Sequence, residues 1–340
     1  MFRDSINLFD NKILLSGKFF FFTSVILNID KKEQDKIVQK IDNFYKIKAY
    51  LLNYIFNRFN FKLIYIKLKM LDLKTIQNPD IKKTIEKYQD NFIKKNFFFY
   101  LLRLCKVLKG ELNTFINKNT HKEQSIQRKI DYDKYWQSFK HKSHVWHSYK
   151  GNYFLSSGSL TQEIFINLIS SQIKSESIKS VLEVGCGVGL NIFTLAKDFP
   201  EVKFTGTDIS STGIAFCKEK MNSLNEYKNL SFLEGNAKNL TFPANSFDLT
   251  YTVLALEQMN QIKTQVIKNI KWVTSKKIVL IEPFKNVNKN LINKIHMKNS
   301  NYLNLSYKDL DTLGLKINDI TEDFPQRLGL AASCLVLTKH

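Results

Sequence analysis

Three glycines at alternate positions, directly behind a short apolar run, narrow most sharply what this chain can fold into. Residues 181–191 read Val-Leu-Glu-Val-Gly-Cys-Gly-Val-Gly-Leu-Asn, the pattern of a buried strand that breaks into a turn and then into a helix beginning near Asn191. The spacing has a physical reason. Glycine lets the backbone take positive φ and lets a ligand approach with no Cβ in the way, while the N-terminus of the following helix offers unpaired N–H groups to a carboxylate. A dinucleotide-binding turn reads GxGxxG and sets a pyrophosphate on that helix. Here the pattern is GxGxG, with Glu183 two residues ahead of Gly185. A carboxylate sits badly beside a pyrophosphate and suits a ligand with an ammonium group and a sulfonium. A tight turn in some other α/β protein is the plainer alternative.

Strand-like runs recur around this turn, at 180–184, 203–207, 230–234, 247–252, 277–281, 316–321 and 334–339, and a helix is predicted over 161–173. Strands alternating with helices make a parallel sheet. The last two runs are joined through Asp323-Phe-Pro-Gln-Arg-Leu-Gly329. That leaves no room for a crossover helix, so they pair antiparallel at the end of the sheet.

Further elements follow the glycine turn in order. Phe204-Thr-Gly-Thr-Asp208-Ile209-Ser210 ends the second strand with a carboxylate 19 positions after Gly189, where an open α/β sheet usually reads a ribose. Asp208 can accept both ribose hydroxyls, or cap the next helix, or do both. Leu233-Glu-Gly-Asn236-Ala237 closes the third strand; the Asn236 side-chain oxygen suits an adenine amino group, and the Ala237 N–H a ring nitrogen. Asn245-Ser-Phe247-Asp248 opens the fourth strand, the chain runs on from Thr252 through Leu254 to Glu257, and the fifth strand ends at Glu282-Pro283.

On these motifs, residues 155–340 resemble the class I methyltransferase superfamily, close to the broad group acting on small molecules, sugars and lipids. The resemblance implies a Rossmann-like sheet of order 3-2-1-4-5-7-6 with the seventh strand antiparallel, and S-adenosylmethionine as cofactor. It places Glu183, Gly185, Cys186, Gly187 and Gly189 at the cofactor turn, with Gly185 and Gly187 against the methionine portion. Asp208 grips the ribose, Ile209 packs on the adenine, and Asn236 and Ala237 read the base edge. The stretch from Thr252 to Leu254 supplies backbone contacts near the sulfonium.

Methyl transfer is an in-line displacement, so the protein mainly aligns a nucleophile and removes its proton if it has one. Base amino-methylation typically uses an Asn/Asp-Pro-Pro-aromatic turn after the fourth strand, where this chain reads Tyr251-Thr-Val-Leu-Ala. Carbon-5 methylation of pyrimidines commonly needs a Cys after Pro, and no cysteine here follows a proline. The expected acceptor is therefore an O or N atom of a small-molecule, sugar or lipid-linked compound. Candidate bases are His147, Glu257 and Glu282, together with His144. Packing in a linker is the plainer role for the histidines, and helix capping or loop pairing for the glutamates.

The formal net charge is +20, and it is uneven: residues 1–130 hold 26 Lys and Arg against 12 Asp and Glu, residues 181–340 hold 19 against 15. A basic front half suggests an anionic partner such as a membrane surface or a nucleic acid, although an A/T-rich coding sequence accounts for the lysines equally well. Residues 1–130 read as a mainly helical region, with helices over 31–59 and 91–117 and a strand-like stretch over 12–29. Pro79 is one of its few breakers. Peripheral membrane contact is one role for it. Residues 131–160, rich in aromatic residues and histidine, read as a connecting or lid segment, and 161–340 as the methyltransferase domain. Four scattered cysteines indicate neither a disulfide framework nor a structural metal. The longest apolar run, 19–27, is too short to span a bilayer, so a cytoplasmic protein is expected. Two readings stay beside the small-molecule enzyme: a non-catalytic interaction protein of the same fold, and an RNA or protein methyltransferase docking through its basic half.

Overall fold

Strands that are covered on both faces must be apolar almost throughout, and β3 (Ser180–Val184) and the Ile278–Ile281 stretch of β7 (Thr274–Glu282) have that character. The computed structural model describes residues 79–87, 144–150, 152–224, 226–289, 291–299, 301–327 and 330–340, all within the unit from Leu68 to His340. The helices expected over 31–59 and 91–117 and the strand-like stretch over 12–29 lie outside the described residues.

In chain order the described elements are α1 (Pro79–Lys87), β1 (His144–Tyr149), β2 (Asn152–Ser157), α2 (Ser159–Lys174), β3, α3 (Ile192–Asp198), β4 (Lys203–Asp208), α4 (Ser211–Leu224), β5 (Leu230–Glu234), β6 (Phe247–Val253), α5 (Lys263–Val273), β7, α6 (Leu291–Asn299), α7 (Tyr307–Thr312), β8 (Leu315–Thr321), β9 (Gln326–Arg327) and β10 (Ser333–Lys339). Seven strands form the main sheet in the order β5-β4-β3-β6-β7-β10-β8. Numbered within the sheet this is 3-2-1-4-5-7-6, as expected from the sequence. The pairs among β5, β4, β3, β6 and β7 are parallel, and β10 runs antiparallel to both β7 and β8.

Alternation along the strands sorts side chains into two layers. Val181, Val279 and Ile281 join one cluster with Ile164, Ile169, Phe193 and Leu195 from α2 and α3. Leu182, Val184, Ile278 and Leu280 join the other, with Val266, Ile267 and Ile270 of α5. Pro79, a breaker in the sequence, is the first residue of α1, where its missing N–H costs no helical hydrogen bond. Ile85 of that helix is buried in the first cluster, and Lys87 pairs with Glu163 of α2 at 2.8 Å. Among the described residues, no helix is long and apolar enough to cross a membrane.

The segment read as a connector or lid is different in its second half. β1 and β2 form an antiparallel hairpin, and β9 adds to β1 to make a three-stranded sheet. Lys150 takes φ of 45° at the hairpin turn, and Asp323 accepts a hydrogen bond from the Tyr149 hydroxyl (2.8 Å) and pairs with Lys150 (3.2 Å). The stretch from Asp323 to Gly329 is therefore more than a turn, because Gln326 and Arg327 pair with Ser148 and His147.

The corner between α3 and β4 depends on one side chain. The Asn229 amide lies within hydrogen-bond distance of the carbonyls of Ala196 (2.9 Å), Phe199 (3.0 Å) and Val202 (2.9 Å). Asn229→Ala strands these acceptors, and a loss of about 1–3 kcal/mol is expected, read as a lower urea midpoint with unchanged slope. A loss no larger than the roughly 0.5 kcal/mol typical of surface substitutions contradicts this role.

Candidate active site

The chain leaves β3 at Gly185, whose φ is +80°. The N–H groups of Gly185 and Cys186 both donate to the Thr207 carbonyl on β4, at 2.7 and 3.0 Å. A Cβ on Gly185 would lie 2.5 Å from the Cβ of Ala255, so the turn is pressed against the segment that follows β6. Asp208, partly exposed at the end of β4, takes the Gly187 N–H on Oδ2 and the Ser210 N–H on Oδ1, both at 2.8 Å. Each carboxylate oxygen offers more than one lone pair, so these two bonds do not by themselves exhaust its acceptors. Ile209 beside it is partly buried.

Glu183 is 1% exposed. Its Oε1 accepts from the Asn191 amide at 3.2 Å and its Oε2 from the Tyr251 hydroxyl at 2.9 Å. Burial pushes this carboxyl up to about 8, against the pull of those two donors. The residue expected at the ligand thus holds the base of the turn to the next strand and to the start of α3. Tyr251 escaped the sequence reading. A tyrosine in mid-strand, buried on both faces, needs a partner for its hydroxyl, and that need was the available signal. The Cys186 thiol is buried, and burial raises it well above its ordinary range.

Past β6 the backbone enters the left-handed region at Leu254, φ 52°, which costs a residue with a Cβ roughly 1 kcal/mol. Two features hold it there. The Leu254 N–H donates to Ile281 at 2.9 Å. The Glu282 carboxylate accepts the N–H groups of Ala255 and Leu256 on Oε1, both at 3.0 Å, and of Glu257 on Oε2 at 3.1 Å. Glu282 is fully buried, and burial with the neighbouring Glu257 charge pushes it up to about 8. The structure gives this candidate base the loop-holding role. Thr252, also fully buried, lies against Glu282.

His147 and Glu257 share one neighbour, Arg327. His147 is fully buried; burial, then the Arg327 charge, lower its imidazole to about 4, while a hydrogen bond with the Val145 backbone opposes them. It is a neutral group packed within the small sheet, and a weak base. Burial raises Glu257 to about 7, against a 3.1 Å bond from Gln258 and the charge of Arg327. Arg327 donates from Nε to the Thr161 hydroxyl at 2.8 Å and from Nη2 to the Gly158 carbonyl at 3.3 Å. Gln162, on the same first turn of α2, donates to Leu190 of the glycine turn at 2.6 Å. In the sequence Arg327 lies inside an apparent turn and carries no local signal of these contacts.

Asn236 is exposed and uses its side-chain oxygen on the Lys238 N–H, capping a short 3₁₀ turn. Ala237 is buried, and its carbonyl is held by Asn269 at 3.0 Å. The glycine turn, Asp208, Asn236 with Ala237, and the Leu254–Glu257 stretch all follow the carboxyl ends of parallel strands, where open α/β sheets bind ligands.

Residues 181–277 match the methyltransferase-domain family. A fatty-acid O-methyltransferase of Mycolicibacterium smegmatis is 41% identical over 75 residues, which is 22% of this chain and 26% of that protein. A phthiotriol/phenolphthiotriol dimycocerosates methyltransferase of Mycobacterium tuberculosis is 36% identical over 77 residues, 23% of this chain and 27% of that one. The chain thus spans about a quarter of the length of either relative. A solved S-adenosylmethionine-dependent methyltransferase of Methanosarcina mazei superposes with a TM-score of 0.42 at 19% identity, covering 51% of this chain and 96% of that one.

Glu183, Glu257 and Glu282 all hold their protons more tightly than an ordinary glutamate at 4.5. Together these three carboxyls bind more protons in the folded protein than in the unfolded chain from about pH 4.5 to about pH 8, which outweighs the single opposing shift of His147 below pH 6.5, and the stability they contribute falls as pH rises through that window. Urea midpoints are expected to decline across that range, and Glu183→Gln to make the decline shallower. A wild-type midpoint that is level or rises, or a slope that the substitution leaves unchanged, speaks against the proton-holding role.

Proposed function

We propose, from the premise that residues 181–277 form a class I methyltransferase domain, that this protein transfers a methyl group from S-adenosylmethionine to an O or N atom of a lipid-like small molecule. The observation that carries the reading is the joining of three loops at one end of the sheet. Gly185 meets Ala255, Gly187 meets Asp208, and the left-handed Leu254 stands beside them. The residues present suit the cofactor: a turn whose backbone tolerates no Cβ at Gly185, a partly exposed carboxylate for vicinal hydroxyls, and Ile209 as an apolar surface for a base. Bound there, S-adenosylmethionine supplies an electrophilic methyl on a sulfonium.

In this reading Asp208 holds the ribose while it fixes the turn, and the Leu254–Ala255 backbone borders the sulfonium. Asn236 and Ala237 read the adenine edge. Glu257 is the one candidate base that keeps a partly exposed carboxyl near neutrality, and it takes the proton from an acceptor that carries one. The lipid-like acceptor is supported by the names of the relatives, one for a fatty acid and one for phthiotriol dimycocerosates.

Titration calorimetry tests the reading. Wild type is expected to bind S-adenosylmethionine, and Asp208→Ala and Asp208→Asn to weaken it about 10- to 100-fold, the worth of hydrogen bonds to a charged group. A wild type that binds no S-adenosylmethionine, or variants that bind as well as it does, overturn the assignment.

A further inference from the structure

The end of the sheet opposite the candidate site holds an open cleft of about 290 Å³, lined by Ala244, Asn245, Lys268, Lys271, Trp272 and Lys339. That is near the lower bound of roughly 300 Å³ for small-ligand sites. Asn245 stands two residues before β6, Lys268, Lys271 and Trp272 lie on α5, and Lys339 ends the antiparallel strand β10. The cleft therefore sits where the parallel strands begin, away from the glycine turn and Asp208.

The inward face of α5 is taken by Val266, Ile267, Ile270 and Val273. Lys268 and Trp272, four residues apart, share its outer face. Trp272 is 60% exposed, and among the described residues no ring or ammonium group stacks on its indole. Its backbone is fixed from the neighbouring turn, because its carbonyl accepts the Asn245 N–H at 3.0 Å while Asn245 holds φ of 56°, a region that asparagine enters more readily than most residues.

The charges beside the indole are all of one sign. Lys271 donates to the Leu313 carbonyl at 3.2 Å, and its Nζ occupies the space that a Cβ on Gly314 would need. Lys339 donates to the Asn245 side-chain oxygen at 2.6 Å, which leaves the N–H groups of that amide as donors. Neither lysine, nor Lys268, meets a carboxylate among the described residues. Carboxylates at this end of the sheet are engaged elsewhere: Asp248 by Lys276 at 3.2 Å, Glu176 by Lys277 at 3.1 Å and Asp311 by His340 at 3.0 Å. Burial, then the Lys271 charge, loosen the proton on Lys339. Like charges gathered without a counter-charge repel, and a bound anion relieves that repulsion.

We propose that this cleft is a nucleotide-binding site, with the base stacked on Trp272 and the phosphate held by the ammonium groups of Lys268, Lys271 and Lys339. Every base offers a face to an indole whatever its sequence, and a cationic groove holds the backbone. The amide of Asn245 is placed to donate to a base edge. A membrane surface suits the cleft less well, since one indole set in a concavity offers a bilayer little apolar area. The site stands whether or not the chain transfers methyl groups.

Binding of a fluorescently labelled hexauridylate to the full chain is followed by anisotropy over a range of salt. Wild type is expected to bind. Trp272→Ala should weaken binding at least 10-fold, the scale of one lost stacking contact, and Trp272→Phe should restore most of it. Lys268→Gln should reduce the slope of log affinity against log salt by about 0.7, the share of one phosphate contact. Both side chains are exposed, so urea midpoints should match wild type. Displacement by uridine monophosphate assigns a free nucleotide, and binding that only the strand sustains assigns single-stranded RNA; either supports the proposal. No binding by wild type, or Trp272→Ala binding as wild type does, overturns it. So does a Trp272→Ala defect seen on phosphatidylglycerol vesicles and absent on the oligonucleotide, which makes the cleft a membrane contact.

Discussion

One carbonyl governs the end of the sheet where the candidate site lies. Thr207 accepts both the Gly185 and Cys186 N–H groups, so the ladder between β3 and β4 continues into the turn instead of stopping where the strand does. A chain turning sharply inside a packed interior otherwise strands its N–H groups, at a cost comparable to a lost hydrogen bond. Because Asp208 is the next residue and takes the Gly187 N–H, the register of β4 against β3 sets both the shape of the turn and the place of the carboxylate. A slip of one residue would lose the two together.

Two buried glutamates fasten the remaining loops in related ways. Glu183, near the end of β3, ties the turn to β6 through Tyr251 and to α3 through Asn191. Glu282, the last residue of β7, gathers three consecutive N–H groups behind Leu254. Buried polar groups whose bonds are met define one loop conformation more sharply than apolar packing does. The cost is paid in protonation: both carboxyls sit where burial raises their proton affinity.

The sheet was legible because strands covered on both faces leave continuous apolar runs, and the expected 180–184 and 230–234 coincide with β3 and β5. The expected 277–281 fell short of β7 because Ser275 and Lys276 look like loop residues, although Thr274 pairs with Phe247. The hairpin of β1 and β2 left no such mark, since its partner strand lies far along the chain and is only two residues long. At the site, glycine spacing and the acidic strand ends located the turn and Asp208 from local sequence alone. The offices of Glu183, Glu282 and Arg327 were hidden because their partners are long-range: 68 residues separate Glu183 from Tyr251, and 166 separate Arg327 from Thr161.

The antiparallel strand β10 has an effect on how the molecule is made. It sits between β7 and β8, both of which precede it in the chain, so the sheet closes only after Ser333–Lys339 has left the ribosome. Until then β7 and β8 keep unpaired edges, and Leu280 and Ile281 lack the strand that pairs with them. Such contacts across strands that meet late are slow to form and leave edges open to other chains. During synthesis this domain therefore passes through a stage in which β5, β4, β3, β6 and β7 can already pair with one another while β7 still carries an open edge.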